Sequence, residues 1–357
     1  MSEEEPQQGA FEDDDVDDDS DADGVDGDFK VDDMHDDSDD DVFLFEAAAS
    51  DPIWSKQQPL QYLLGRSRKN GRTSAKAVYG EPLTLERDAE GPRIRLLRIR
   101  PGARGEPIYG DLLVRPLFEG QIHYVALSYA WGKQVASRTI YLGPEELEFH
   151  LSPHLHAALD HLRHHKEYTY VWVDAICINQ ENDLERSAQI QIMAQIYHQA
   201  NEVRVWLGVD GFANVADNDD DLMWALCQRE SPWWRRLWVV QECAYSKKCP
   251  VVMFGQKQSS LQDLVERWTN VVQRQQGNGH SYQLSTLQYN LVFVEQLYAA
   301  WIEQSMTGRL PLLIRLRQTA RHQYSVAHDR NFAILSLVNE EEVKKIKPDY
   351  RQPYSSL

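Results

Sequence analysis

The apolar positions of this chain change their pattern at Tyr124. Before it, residues 93–99 and 111–117 are short apolar stretches interrupted by arginines, and the turn-rich run 101–105 separates them. They predict two strands paired as an edge hairpin, because Pro116 has no N–H to give to a central ladder. From Tyr124 the runs become continuous. Residues 125–130 are almost wholly apolar, the pattern of a strand buried on both faces. Residues 139–142 are another short strand, closed by Gly143-Pro144. A helix follows, with Ser152 as its cap, Pro153 in its first turn, and Leu155, Leu159 and Leu162 on one face. Residues 168–174 form a further buried strand that ends at Asp174.

Asn182 with Glu185 three positions on has the form of a capping box. Leu184, Ala188, Ile192, Ile196 and Ala200 then predict one amphipathic helix reaching about residue 200. Residues 203–207 are the next strand. Strands alternating with helices of this length build a mostly parallel sheet, so 124–130, 169–174 and 203–207 should lie side by side. An acidic break at 217–221 precedes a helix through about Cys227, and a second helix opens at Trp233. Residues 251–254 read as a last strand, 261–272 as a helix and 275–280 as a loop. Helices are expected at 287–301, 310–319 and 331–338. Ahead of all this, 59–64 has the pattern of a short helix and 66–76 that of a basic connector, with ordered structure starting near Tyr79.

Charge divides the chain more sharply than hydrophobicity does. Residues 1–50 hold 22 acidic residues and one basic one, Lys30, while the remainder holds 36 basic and 34 acidic. A near-neutral body therefore follows an acidic tail, which self-repulsion and low hydrophobicity should keep disordered. Val42-Phe43-Leu44-Phe45 is the tail's one apolar cluster, an anchor if the tail docks on a basic partner. A near-neutral body gives no electrostatic reason for nucleic-acid binding. No apolar run approaches the ~18 residues of a membrane span, and the acidic start is unlike a signal peptide. Four scattered cysteines, Cys177, Cys227, Cys243 and Cys249, suit neither a disulfide scaffold nor a paired-cysteine zinc site. These features place the chain in the cytoplasm. His161 and His165 stand four apart beside His164, but no third ligand accompanies them, and a solvated helix face is the simpler reading.

Three blocks carry a resemblance. Tyr124-Val-Ala-Leu-Ser-Tyr-Ala-Trp-Gly132, Trp172-Val-Asp-Ala-Ile-Cys-Ile-Asn-Gln180 and Trp234-Arg-Arg-Leu-Trp-Val-Val-Gln-Glu242 resemble, in order, the blocks of the fungal heterokaryon incompatibility (HET) domain. Residues 328–335 and 348–350 are similar to segments that often follow it. The resemblance implies self/non-self recognition and cell death, with self-association or other incompatibility proteins as partners and no cofactor required. It also implies a distant likeness to the TIR domain, a flavodoxin-like parallel sheet wrapped by helices. The domain is expected over 79–275, with core motifs in 124–245, after a tail at 1–50 and before a helical region at 276–357 in which the chain has the look of a fragment. Some TIR domains cleave NAD with the glutamate of a Trp-Cys-x-x-Glu motif. Trp238-Val-Val-Gln-Glu242 keeps that spacing with Val239 in the cysteine's place.

Beside the signalling role, that resemblance implies a second function, NAD cleavage, with NAD as substrate and Glu242 as the carboxylate facing the positive charge that develops on the ribose. The alternative is a structural Glu242 paired with Arg235 or Arg236. Asp174 falls at the carboxyl end of a central strand, where ligands bind in open parallel sheets. Asn179 and Gln180 follow with amides suited to ribose or adenine, and Ser128 and Trp131 end the first domain strand with an indole to stack on. Against this, Asp174 can simply cap its loop through local N–H groups, and Glu185 can close its capping box.

Overall fold

The computed structural model describes residues 78–85, 91–118, 123–131, 136–209, 231–276, 281–344, 346 and 348, without the side chains of 271, 272, 274–276 and 281–290. The chain divides into two units, Met1–Ala49 and Ser50–Leu357. The expected tail, the 59–64 helix, the basic connector, the helix ending near Cys227 and most of the 348–350 motif lie outside the described residues.

Nine described strands form one sheet: β1 (Arg93–Ile99), β2 (Ile108–Pro116), β3 (Val125–Tyr129), β4 (Arg138–Leu142), β5 (Leu147–Leu151), β6 (Thr169–Trp172), β7 (Glu202–Trp206), β8 (Val251–Phe254) and β9 (Lys257–Ser260). Their order is β5-β4-β2-β1-β6-β3-β7-β8-β9. β3 pairs in parallel with β6 and with β7, and β7 with β8. The three strands expected to be neighbours are neighbours. The four parallel strands, numbered along the chain, run 2-1-3-4 across the sheet, as in flavodoxin-like order. The α/β expectation holds, with antiparallel pairs and one further parallel pair, β2–β4, flanking the parallel centre.

Several elements differ from the sequence reading. The β1–β2 hairpin is inside the sheet, between β4 and β6. Pro116 is tolerated there because β4 pairs with β2 only at residues 108–110, leaving the proline end uncovered. The edges are β5 and β9, short strands absent from the sequence reading: β5 alternates apolar and polar residues over Leu147–Leu151, whereas β9 carries no apolar residue. β5 returns from β4 through Gly143, and β9 returns from β8 through Gly255, both glycines at positive φ. Between β1 and β2, Gly110 is required by space: a Cβ there would stand 2.8 Å from the Arg98 carbonyl oxygen.

The helices are α1 (Pro153–Leu162), α2 (Asp174–Cys177), α3 (Asp183–Gln191), α4 (Met193–Gln199), α5 (Trp238–Ala244), α6 (Leu261–Gln276), α7 (Ser281–Met306), α8 (Leu312–Gln318), α9 (Asp329–Phe332) and α10 (Glu340–Val343). Ser152 caps α1 as expected, accepting from the Leu155 N–H at 3.2 Å. The single helix to residue 200 is broken at Ile192 into α3 and α4. Leu184 is 64% exposed. Steps of four drift about 40° each around a 3.6-residue helix, so Leu184 and Ile196 sit about 120° apart. The other stripe positions, Ala188, Ile192, Ile196 and Ala200, are buried, and within α3 Glu185 and Gln189 bury beside Ala188. Trp233 lies in a 3₁₀ turn, Pro232–Arg235, and the helix proper starts at Trp238. α6 runs to Gln276, where a loop was expected from 275.

Two large apolar clusters fill the interior. One joins β1 to β7 with α1, α2 and α4. The other joins Trp233, Trp234, α5 and α6 with Phe293, Val294 and Leu297 of α7. α7 and the 3₁₀ turn Leu335–Leu337 fasten onto the α5 segment: Trp301 Nε1 donates to the Ser246 carbonyl at 2.9 Å, and Ser336 Oγ to Gln241 Oε1 at 2.8 Å.

Candidate functional site

Parallel strands end together, so the residues that follow them converge. β3 delivers Ser128, Tyr129 and then Trp131, and β6 delivers Asp174 through Val173. α5 brings Glu242 to the same place. The Ser128 hydroxyl donates to the Glu242 carboxylate and accepts from Trp233 Nε1 at 2.7 Å. Both partners are enclosed, Glu242 at 3% exposure and Ser128 at 1%. Trp131 Nε1 donates to Asp174 Oδ2 at 2.9 Å, and the Ala175 N–H to Asp174 Oδ1 at 2.7 Å. Arg236, at the end of the 3₁₀ turn, donates to the Tyr129 carbonyl, and its positive charge acts on both carboxylates.

This environment sets the acidity of the pair. Burial pushes Glu242 up to about 7, against the attraction of Arg236 and the hydrogen bond from Ser128, while the charge of Asp174 adds to the rise. Asp174 is raised too, again by burial, with Arg236, Ala175 N–H and the Trp131 indole opposing. Burial also raises the Tyr129 and Tyr197 phenols. A carboxyl group titrating near neutrality can hold a proton or release it under ordinary conditions, which is what acid–base chemistry requires of it.

Four of the six sequence-selected residues therefore share one cluster: Ser128, Trp131, Asp174 and Glu242. The other two serve the loop beneath. Gln180 Nε2 donates to the Asp174 carbonyl at 2.8 Å. Asn179 turns its Oδ1 to the Glu181 N–H at 3.2 Å, and its own N–H donates to Glu185 at 2.7 Å. Glu185 does not close a capping box. Asn182 caps α3 alone, and the Glu185 carboxylate is wholly buried against Arg95, with the Leu83 N–H at 3.0 Å. A buried β1 arginine needs that anion more than the helix end does. Arg236, read from the sequence as the alternative structural partner of Glu242, acts on both carboxylates. Trp233, Tyr129 and Tyr197 join the cluster without any sequence signal that assigns them to it.

Beside the cluster, Tyr129, Trp131, Ser152, Leu155 and Ala175 line a recess of about 10 Å³, space for about one water. Among the described residues no group of three His, Cys, Asp or Glu side chains is placed to hold a metal. His161 packs against Trp206 with ring centroids 4.7 Å apart and planes tilted by 48°, and its Nδ1 lies 2.7 Å from the Ala157 carbonyl oxygen.

Residues 124–228 match the family model described as Heterokaryon incompatibility protein (HET). This segment is a HET domain. A 141-residue alignment is 35% identical to Heterokaryon incompatibility protein 6, OR allele, of Neurospora crassa, taking in 35% of this chain and 20% of that protein. The chain thus spans about a fifth of the length of the curated relative it matches. No solved structure matches it. The matched HET segment contains Ser128, Trp131, Asp174, Asn179 and Gln180, and stops short of Trp233, Arg236 and Glu242. The cluster is therefore completed by residues outside the HET match. Among the described residues no helix is long and apolar enough to cross a membrane.

Proposed function

We propose that this chain is an incompatibility-type signalling module in self/non-self recognition, that it triggers programmed cell death, and that it works by self-association in the cytoplasm. The observation that carries the reading is the HET match over 124–228, supported by the likeness to the Neurospora crassa incompatibility protein. The inward setting of the cluster favours a structural and assembly role: Ser128 and Glu242 spend their hydrogen bonds on each other, on Trp233 and on Tyr197. Leu313, Ile314 and Met306 supply exposed apolar surface for association. Sedimentation velocity over a hundredfold concentration range tests the self-association. A rising sedimentation coefficient supports it, and a constant monomer value removes it.

A second reading has its own support. Glu242, with an acidity near neutral, stands beside Asp174, Ser128 and Trp131 at the carboxyl ends of parallel strands, the position of ligands in such sheets. In that reading the chain is an NAD glycohydrolase, NAD is its substrate, and Glu242 is the carboxylate opposite the developing charge. Incubation with NAD and chromatography for nicotinamide decides it. Release that Glu242→Gln abolishes supports catalysis, and no release from the parent removes it.

A further inference from the structure

His322 is out of keeping with its surroundings. It is 4% exposed, and neither ring nitrogen has a hydrogen-bond partner among the described residues. Its ring stands edge-on to Phe293 of α7, centroids 5.2 Å apart. A neutral imidazole left without partners in an apolar recess forfeits the hydrogen bonds it has in water. Charging it there would be worse, because the one charge that bears on it is another cation, Arg330 of α9. Arg330 is fixed in place, donating to the Thr319 carbonyl at 3.0 Å and the Leu316 carbonyl at 2.8 Å. Arg235 and Arg236 are main-chain neighbours of the next residue, Gln323. No carboxylate bears on the imidazole to compensate.

The next residue makes this consequential. Gln323 forms a parallel bridge with Arg236: its N–H donates to the Arg235 carbonyl, and its carbonyl accepts from the Leu237 N–H at 2.8 Å. The main chain on both sides of Arg236 is thus held by the residue after His322. Arg236 in turn reaches the Tyr129 carbonyl and supplies the positive charge for Asp174 and Glu242. We propose that residues 319–323 are an acid-releasable clasp: protonation of His322 expels it from its recess, undoes the bridge to Arg235 and Leu237, and frees Arg236 from the carboxyl-end cluster. The clasp operates whether the cluster serves assembly or catalysis.

Burial holds the His322 imidazole down at about 4, with Arg330 adding to the effect, against an ordinary 6.5. The sign follows from linkage: the clasped state is fully favoured above 6.5 and loses ground as pH falls toward 4. Between pH 7.5 and 5.5 the opening equilibrium should grow roughly tenfold. Amide hydrogen exchange on the full chain, corrected for the intrinsic pH dependence, reads this directly. The amides of Leu237 and Gln323 should lose about tenfold protection over that interval while those of β3 and β7 keep theirs. His322→Phe fills the same recess without titrating and should hold protection constant. An equal loss in His322→Phe, or none in the parent, overturns the clasp. Should that variant not fold, the imidazole of the parent, followed by NMR, still decides. Titration well below 6 together with the exchange loss supports the clasp, and titration near 6.5 without that loss overturns it.

Discussion

Replacing Glu242 by glutamine tests the most unusual feature of the cluster, a carboxyl group that burial pushes from 4.5 to about 7. For an acid raised in the folded state, the native protein holds the proton more tightly than the unfolded chain. The stabilisation is complete below about pH 4.5 and is lost as pH rises through 7. The difference corresponds to about 3 kcal/mol in total, because each tenfold gain in proton affinity is worth about 1.4 kcal/mol. About 2 kcal/mol of it falls between pH 5.5 and 8.5, a range that avoids the pI of about 5.0. Glutamine keeps the shape and the acceptor for Ser128 but cannot ionise. Urea unfolding of parent and variant at pH 5.5, 7 and 8.5, followed by tryptophan fluorescence, gives the two stabilities. Their difference cancels groups common to both, including His322. The variant should gain on the parent by about 2 kcal/mol as pH rises. A difference that stays flat would refute the reasoning, showing that Arg236 and Ser128 keep Glu242 ionised in the ordinary carboxylate range.

Two further substitutions probe the frame that holds the cluster. Glu185→Ala leaves the buried Arg95 without its anion and should cost about 3–5 kcal/mol in urea unfolding; a loss under about 1 kcal/mol would show that the carbonyls of Tyr79, Glu81 and Cys177 suffice for the guanidinium. Gly110→Ala sets a methyl against the Arg98 carbonyl and should cost about 1–3 kcal/mol, read as a lowered thermal midpoint, whereas an unchanged midpoint would mean that β1 and β2 part at little cost.

What the sequence discloses here follows from where each signal comes from. The central strands are legible because a strand covered on both faces must be apolar throughout, as 125–130 and 203–207 are. The edge strand β5 is legible as well, since Leu147-Glu-Phe-His-Leu151 alternates apolar and polar residues, whereas β9, Lys257-Gln-Ser-Ser260, has no apolar residue to announce it. The α3 stripe holds at Ala188 and fails at Leu184, because spacing by four drifts around the helix, while Glu185, which buries with Gln189, is charged. Its partner is Arg95, 90 positions away, and no local pattern announces a pair formed across the sheet. The site divides in the same way. Ser128, Trp131 and Asp174 are legible because they end apolar strands, and Glu242 because it closes a motif. Arg236 is legible as a partner of Glu242, but its bridge to Gln323, far along the chain, is not.

The account's central claim is that this chain signals cell death through assembly, and one measurement addresses it most directly. The chain and its Glu242→Gln variant would be expressed from an inducible promoter in a filamentous fungus and hyphal viability scored by dye exclusion. The account predicts that both kill, to the same extent at equal protein level, since the variant keeps the fold and the surface. A parent that leaves hyphae alive contradicts the signalling role, and a folded, equally abundant variant that fails to kill contradicts assembly as the mechanism.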